Sequence, residues 1–230
     1  MSRIWLFSLM IALWCTMGYS QRHELGVTFG GVNYIGEIGG TQYFQPRHLS
    51  YGFIYRRNLT PRIALRAQFS TGKLSANDLN ATELDRVSRG LSFSNNYSAW
   101  GAGVEVSYIA FPIGDFGASW TPYLHLGVQR MVIDELYFAP YKKTAWSHGR
   151  EMTVSVPFGV GVKFNVGQAW VISAELQPQF TLSDNVDGSY PNYEKQPDAQ
   201  KFFTSLSSDW LVFSGISITY AFGRLPCCRE

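Results

Sequence analysis

The strict alternation of apolar and small or polar residues in segment 154–164 constrains the fold of this chain more than any other feature. In an extended segment one face would carry only Val and Phe and the other Ser, Pro, Gly and Lys, which is typical of a β-strand. A strand of a soluble sandwich also alternates, but its polar face would hold more charge and fewer glycines. Glycine on an inner wall favours a narrow barrel. The apolar face comprises Val154, Val156, Phe158, Val160, Val162 and Phe164.

Composition indicates that the outside of this barrel faces lipid. Charged residues make up only 16% of the chain, against roughly 25% in an ordinary soluble domain. Beyond residue 20 the sequence has no apolar run of about 18 residues, which a membrane-spanning helix would need. A closed barrel with an apolar exterior is the alternative that satisfies both facts. The net charge of +2 and the lack of a Lys/Arg block argue against a nucleic-acid partner.

Strand counting predicts an all-β, transmembrane, up-and-down antiparallel β-barrel of about eight strands. Clear alternation also occurs in segments 63–70, 100–108, 170–180 and 210–222, and weaker candidates are 24–34, 48–57 and 121–131. The connections between them alternate in length. Segments 35–47, 71–90, 132–152 and 182–208 are long, whereas 58–61, 111–118 and 165–168 are short. This is the pattern expected for long external loops and short periplasmic turns.

The N-terminus predicts export across the inner membrane. Arg3 is followed by the apolar run 4–14, and Gly18 and Ser20 are the small residues that precede a cleavage site. Residues 1–20 are therefore predicted to be a signal peptide, 21–222 the barrel and 223–230 a periplasmic C-terminal tail. Two other readings are weaker. The apolar run is short for a membrane anchor, and Trp14 is too bulky to precede an acylated Cys15.

Charged residues on the predicted inner faces point to a filled lumen. An eight-stranded barrel is just wide enough to be filled by its own side chains, so a water-filled pore is not expected. Arg66 and Glu105 lie on neighbouring strands and are predicted to pair. Lys163 and Glu175 are predicted to extend this pair into a network, because a buried charge without a partner costs several kcal/mol.

Two other function classes compete with a structural role. His48 and Ser50 share a strand face and could share a proton in a lipid-modifying barrel enzyme, but no acidic residue is placed to orient the histidine. Alternatively, the long external loops could make the barrel an adhesion or stability factor. No cofactor, small-molecule substrate or metal site is predicted, since His23, His125 and His148 lack metal-ligand spacing. Asp184 and Asp187 of the last long loop are interpreted as part of a solvated acidic face.

Several stretches resemble one known family. They are 23–26, 30–39, 51–56, 89–96, 121–124 and 156–163, with sequences such as Tyr51-Gly52-Phe53-Ile54-Tyr55-Arg56 and Val156-Pro157-Phe158-Gly159. In this order they are similar to the PorG family of type IX secretion outer-membrane proteins, over nearly the whole mature chain. The resemblance implies a non-catalytic barrel that associates from its periplasmic side with the ring formed by the lipoprotein PorK and the protein PorN.

The partner-binding elements are expected to be the periplasmic turns and the tail. The tail holds Arg224 and the adjacent Cys227 and Cys228, which together are our candidate partner-binding residues. Two adjacent cysteines bond to each other only through a strained ring, so a free, mixed or intermolecular state is open to them. The predicted location is the outer membrane of a Gram-negative bacterium, with the membrane lipids as further partners.

Overall fold

The computed structural model describes residues 22–113, 119–167, 169–191, 199–200 and 209–223. Eight antiparallel strands close into one barrel in sequence order. The first and last strands complete the closure, with His23 opposite Phe222 and Ile35 opposite Trp210. This confirms the predicted fold class. The strands are β1 (Arg22–Ile35), β2 (His48–Asn58), β3 (Ile63–Asn77), β4 (Ser92–Ser107), β5 (Trp120–Tyr137), β6 (Trp146–Val166), β7 (Trp170–Thr181) and β8 (Trp210–Phe222).

The connections after β1, β3, β5 and β7 lie at one end of the barrel, and those after β2, β4 and β6 lie at the other. The predicted alternation in length is not strict, because the connection 138–145 at the first end is shorter than the connection 108–119 at the other. We call the first end, which holds the connections 36–47, 78–91 and 182–209, external and the other end periplasmic. A 3-10 turn (Asp78–Asn80) and the helix α1 (Leu84–Arg89) lie in the connection between β3 and β4. Among the described residues, no helix is long and apolar enough to cross a membrane.

The sequence prediction of the external loops was partly wrong, because the strands extend further than expected. Residues 71–77, 132–137 and 146–152 were assigned to loops but lie in β3, β5 and β6. The strand ladder continues there, with Asp134 opposite Arg150 and Lys73 opposite Asn96. In β3 and β5 the extensions were missed because the apolar residues change to the opposite face of the strand.

This change of face divides the barrel into two levels. In the periplasmic part, apolar side chains point outward and form what we call the apolar belt, and polar side chains point into the lumen. In the external part of β3 to β5, polar side chains point outward and apolar ones fill the interior, as in a water-soluble protein. This internal core comprises Val32, Tyr34, Ile38, Leu74, Ala76, Leu91, Phe93, Tyr97, Ala99, Met131, Ile133, Leu136, Phe138, Val186 and Leu211.

Candidate functional site

A buried network of charged side chains crosses the periplasmic half of the lumen. It contains three cations and three carboxylates, so its formal charges balance. We call this set the lumen network; its members are Glu24, Arg56, Arg66, Glu105, Lys163 and Glu175.

Glu105 is the centre of the lumen network. Its carboxylate accepts a hydrogen bond from Arg56 Nε at 2.9 Å and one from Lys163 Nζ at 2.5 Å. Arg56 also contacts Glu24, with an Nη1–Oε2 distance of 3.3 Å. Removing so many charges from water is costly, and the close pairing is what compensates for this cost.

Uncharged side chains donate further hydrogen bonds to the carboxylates of the lumen network. Asn58 and Thr219 donate to the Glu24 carboxylate at 2.7 and 2.8 Å. Tyr123 donates to Glu175 Oε2 at 2.7 Å. The Tyr123 ring can take this place because residue 161 is a glycine. A Cβ at that position would come within 2.6 Å of the ring. Glycine on the inner wall therefore makes room for a side chain that fixes a network carboxylate.

The four predicted lumen residues lie together, and the predicted ion pair between Arg66 and Glu105 is present, but it is not the closest contact of Arg66. Arg66 contacts Glu105 only at 3.6 Å, and its close partner is Glu175, with two N–O distances of 2.7 Å. The reason is geometric: Arg66 is in register with Gly103, not Glu105, while Glu175 projects from the opposite wall of a narrow lumen.

Arg56 and Glu24 were missed in the sequence. The signal that could have found them is the outward row Tyr51, Phe53 and Tyr55, which requires Arg56 to point inward. The register partner of Arg56 on β1 is Glu24, which therefore also points inward.

A layer of amides covers the lumen network on its external side. Gln129 Nε2 donates to Gln179 at 2.5 Å, and Gln68 Nε2 donates to Gln129 at 3.2 Å. In the same lumen, Gln177 Nε2 lies 3.4 Å from His125 Nδ1. The internal apolar core lies beyond this layer. From the periplasmic to the external end, the interior of the barrel thus holds the lumen network, the amide layer and the apolar core.

The periplasmic mouth is covered by the turn between β4 and β5. Phe111 and Ile113 fold inward and pack with Val171 and Ala221. The Phe111 ring also faces the lumen network, with its centroid 5.4 Å from Lys163 Nζ. Its backbone N–H donates to Pro61 O at 2.8 Å, which ties this turn to the neighbouring one. The lumen therefore offers no conduit for a protein.

At the external end, two arginines of α1 join the first two long connections. Arg86 donates to the carbonyls of Gly36 and Gly39, at 3.1 and 2.5 Å. Arg89 donates to Asp78, with Nε–Oδ2 at 2.7 Å and Nη2–Oδ1 at 2.9 Å. We call residues 36–47, 78–91 and 182–191 together the external cap.

Asp78 is the charged centre of the external cap. Besides Arg89, it accepts the backbone N–H groups of Gly39 and Leu91, at 2.8 and 3.0 Å. Burial by itself would raise the pKa of this carboxyl, but the hydrogen bonds from Arg89 and from the two N–H groups outweigh it and lower the pKa.

The last long connection is held by a buried carboxylate pair. Tyr34 OH donates to Asp187 Oδ2 at 2.9 Å and to Asp209 Oδ1. Burial raises the pKa of Asp187 to about 6, and burial together with the negative charge of Asp187 raises the pKa of Asp209. The interpretation of this loop as a solvated acidic face was therefore wrong for Asp187, which is fully buried.

Glu37, Asp184 and Asp209 each offer a carboxylate oxygen, and these oxygens lie within 4.8 Å of one another. Carboxylates at this spacing are the donor type that a hard cation such as Ca²⁺ uses. The oxygens of Asp209, however, already accept hydrogen bonds from Tyr34 and from the Val186 N–H. We therefore describe the group as part of the cap.

The structure separates the two residues of the enzyme alternative. Ser50 Oγ lies 2.6 Å from Tyr97 OH, and His48 Nε2 lies 2.5 Å from Ser75 Oγ. Each side chain is thus hydrogen-bonded to a residue other than its partner in that alternative. The predicted signal peptide (1–20) and the candidate partner-binding residues Arg224, Cys227 and Cys228 lie outside the described residues.

Comparison with known protein families assigns this chain to one of them. The family described as "Domain of unknown function (DUF6089)" matches residues 3–230 of this chain. The chain belongs to the DUF6089 family. No curated protein matches this DUF6089 chain.

Solved outer-membrane proteins have similar folds at low sequence identity. The attachment invasion locus protein Ail of Yersinia pestis is 10% identical, with a TM-score of 0.44, over 88% of this chain and 99% of Ail. The N-terminal β-barrel domain of Pseudomonas aeruginosa OprF is 12% identical, with a TM-score of 0.45, over 88% and 98%. OprG of the same organism is 7% identical, with a TM-score of 0.46, over 89% and 97%.

Proposed function

We propose that this DUF6089 barrel is a non-catalytic component of the type IX protein secretion apparatus in the outer membrane of a Gram-negative bacterium. In this role it anchors or organises the periplasmic ring of PorK and PorN. The observation that carries the proposal is the closed lumen, filled by the lumen network and covered by Phe111 and Ile113. A barrel that conducts nothing acts through its surfaces.

The periplasmic rim supplies a surface suited to a protein partner. Two neighbouring turns are joined there, since Ser107 N–H donates to Arg62 O at 2.7 Å and Phe111 N–H donates to Pro61 O at 2.8 Å. They expose Leu59, Tyr108 and Ile109, and Tyr108 is 79% exposed. Large apolar and aromatic side chains on an ordered surface are typical of protein interfaces. We call these turns, residues 59–62 and 108–113, the periplasmic rim.

The test is site-specific photo-crosslinking in native cells. A photoreactive amino acid replaces Tyr108 in the rim or, as the control, Leu84 of α1 in the external cap, which is 83% exposed. We expect adducts with PorK or PorN from position 108 and none from position 84. Deletion of 223–230, and separately Cys227→Ser with Cys228→Ser, then distinguishes the tail from the rim. A folded barrel that purifies alone and whose loss leaves secretion intact would contradict the proposal.

A second candidate function is adhesion or envelope stability through the external surface. The observation that favours it is the cap itself, because Arg86 and Arg89 lock two long connections into one ordered surface. Crosslinks from Leu84 to an extracellular or surface protein, with none from Tyr108, would support this candidate over the first.

A further inference from the structure

The outward surface of β3, β4 and β5 changes from apolar to basic at the external edge of the apolar belt. Phe69, Trp100 and Val128 are the last large apolar residues there, with exposures of 38, 45 and 59%. Directly beyond them the outward side chains are hydroxyls, an amide and two cations. We call this group the basic patch; its members are Thr71, Lys73, Asn96, Ser98 and Arg130.

The strand register places these five side chains on one outward surface. Arg130 is opposite Trp100, Thr71 is opposite Ser98, and Lys73 is opposite Asn96. Lys73 and Arg130 lie on either side of β4, with their strands about 10 Å apart at two strand spacings. Because Asn96 and Trp100 are four residues apart, the two cations are also offset by roughly 13 Å along the strands. The hydroxyls between them are in contact, with Thr71 Oγ1 and Ser98 Oγ 3.0 Å apart.

The two cations of the patch are exposed. Within the described part of the chain, neither Lys73 nor Arg130 forms an ion pair. The carboxylate of Asp134 adjoins the patch: it accepts the side-chain amide of Asn96, a member of the patch, at 3.0 Å and is in register with Arg150. Even with Asp134 counted, the group has a net positive charge, and it lies directly beyond the external edge of the apolar belt.

We propose that the basic patch binds the phosphorylated headgroup of an outer-leaflet glycolipid, the bisphosphorylated glucosamine disaccharide of lipid A. Ammonium and guanidinium groups with neighbouring hydroxyls are the donors that bind phosphate oxygens. The acyl chains of the same lipid would pack on the belt directly below, against Phe69 and Trp100. This inference does not depend on the secretion role, because it uses neither the periplasmic rim nor the tail.

The experiment is a lipid titration of the full, folded barrel in neutral detergent, followed by native mass spectrometry. The probes are bisphosphorylated lipid A and the same lipid A with its phosphates removed. For the unmodified protein we expect bisphosphorylated lipid A to bind at least about tenfold more tightly. For Lys73→Gln with Arg130→Gln we expect this preference to fall about tenfold, while Lys73→Arg retains it.

The matched control is Lys142→Gln with Lys143→Gln, which removes the same charge from the loop between β5 and β6, beyond the belt. Heat-modifiable gel migration verifies that each variant is folded. Equal affinity of the unmodified protein for the two lipids would overturn the proposal without any variant. An equal loss in the control would also overturn it, because attraction by net charge would then explain the binding.

Discussion

Arg66 and Glu175 face each other across the lumen from β3 and β7 and form two hydrogen bonds of 2.7 Å each. The two strands are not neighbours, so this contact braces opposite walls of the barrel. Both side chains are almost wholly buried. Such a pair contributes little when compared with a well-packed apolar core, but it is costly to break from one side.

We therefore expect Glu175→Gln to lower the free energy of unfolding by about 3–5 kcal/mol, because it leaves the Arg66 guanidinium buried without its counter-charge. The measurement is urea unfolding in lipid vesicles, followed by tryptophan fluorescence. Glu83→Gln is the control: this residue is exposed and its side chain makes no capping hydrogen bond, so its effect should stay within about 0.5 kcal/mol. Equal stability of the two variants would contradict the bracing role.

Gly161→Ala should destabilise the barrel by about 1–3 kcal/mol, because the new Cβ would lie 2.6 Å from the Tyr123 ring and from Ala174 O. The displaced ring would also lose its hydrogen bond to Glu175. Gly149→Ala, on the same strand, is the matched control, since the nearest atom to its Cβ is Glu135 Oε2 at 3.5 Å. The same unfolding assay compares the two. If Gly149→Ala lowers the free energy of unfolding as much as Gly161→Ala does, Gly161 does not act by making room for Tyr123.

Asp78→Asn should loosen the external cap without affecting the barrel. The change weakens the contact to Arg89, and a hydrogen bond to a charged group is worth about 1.5–3 kcal/mol. Hydrogen exchange at the Gly39 and Leu91 amides, which donate to Asp78, measures the opening. Asp85→Asn, exposed on α1, is the control. Unchanged exchange at both amides would show that Asp78 does not hold the cap.

The lowered pKa of Asp78 also fixes a pH dependence for this part of the cap. Its contribution to stability is present above the ordinary aspartate pKa and is lost as pH falls through the lowered value. The Gly39 and Leu91 amides should therefore lose protection on acidification in the unmodified protein but not in Asp78→Asn.

Asp187 predicts the opposite pH dependence for the last external connection. Its pKa is raised to about 6, so the folded cap binds this proton more tightly than the unfolded chain. The stabilisation is complete below about pH 4 and is lost as pH rises through about 6. Protection of the Val186 and Ser189 amides, which donate to Asp209 and Asp187, should fall over that window. Asp187→Asn should remove the trend, and a trend that persists in this variant would assign it to another group.

The amino-acid sequence by itself determined the barrel, its strand number and the two faces of each strand in the belt. It did so because alternation along a strand is local and can be counted on residues such as Val154 to Phe164. It also indicated that Arg66, Glu105, Lys163 and Glu175 would all be buried, since an inward position follows from the same count.

Only the tertiary structure decided which of these charges meet. The choice of Glu175 over Glu105 for Arg66 depends on strand register and on the width of the lumen, and neither is encoded within one strand. The inward fold of Phe111 and the burial of Asp187 likewise depend on partners far along the chain, such as Val171 and Tyr34. The sequence also did not reveal the full length of β3 and β5, where the apolar residues move from the outward face to the inward face. Local alternation cannot tell whether an apolar face contacts a protein core or a lipid bilayer, because both accept apolar side chains.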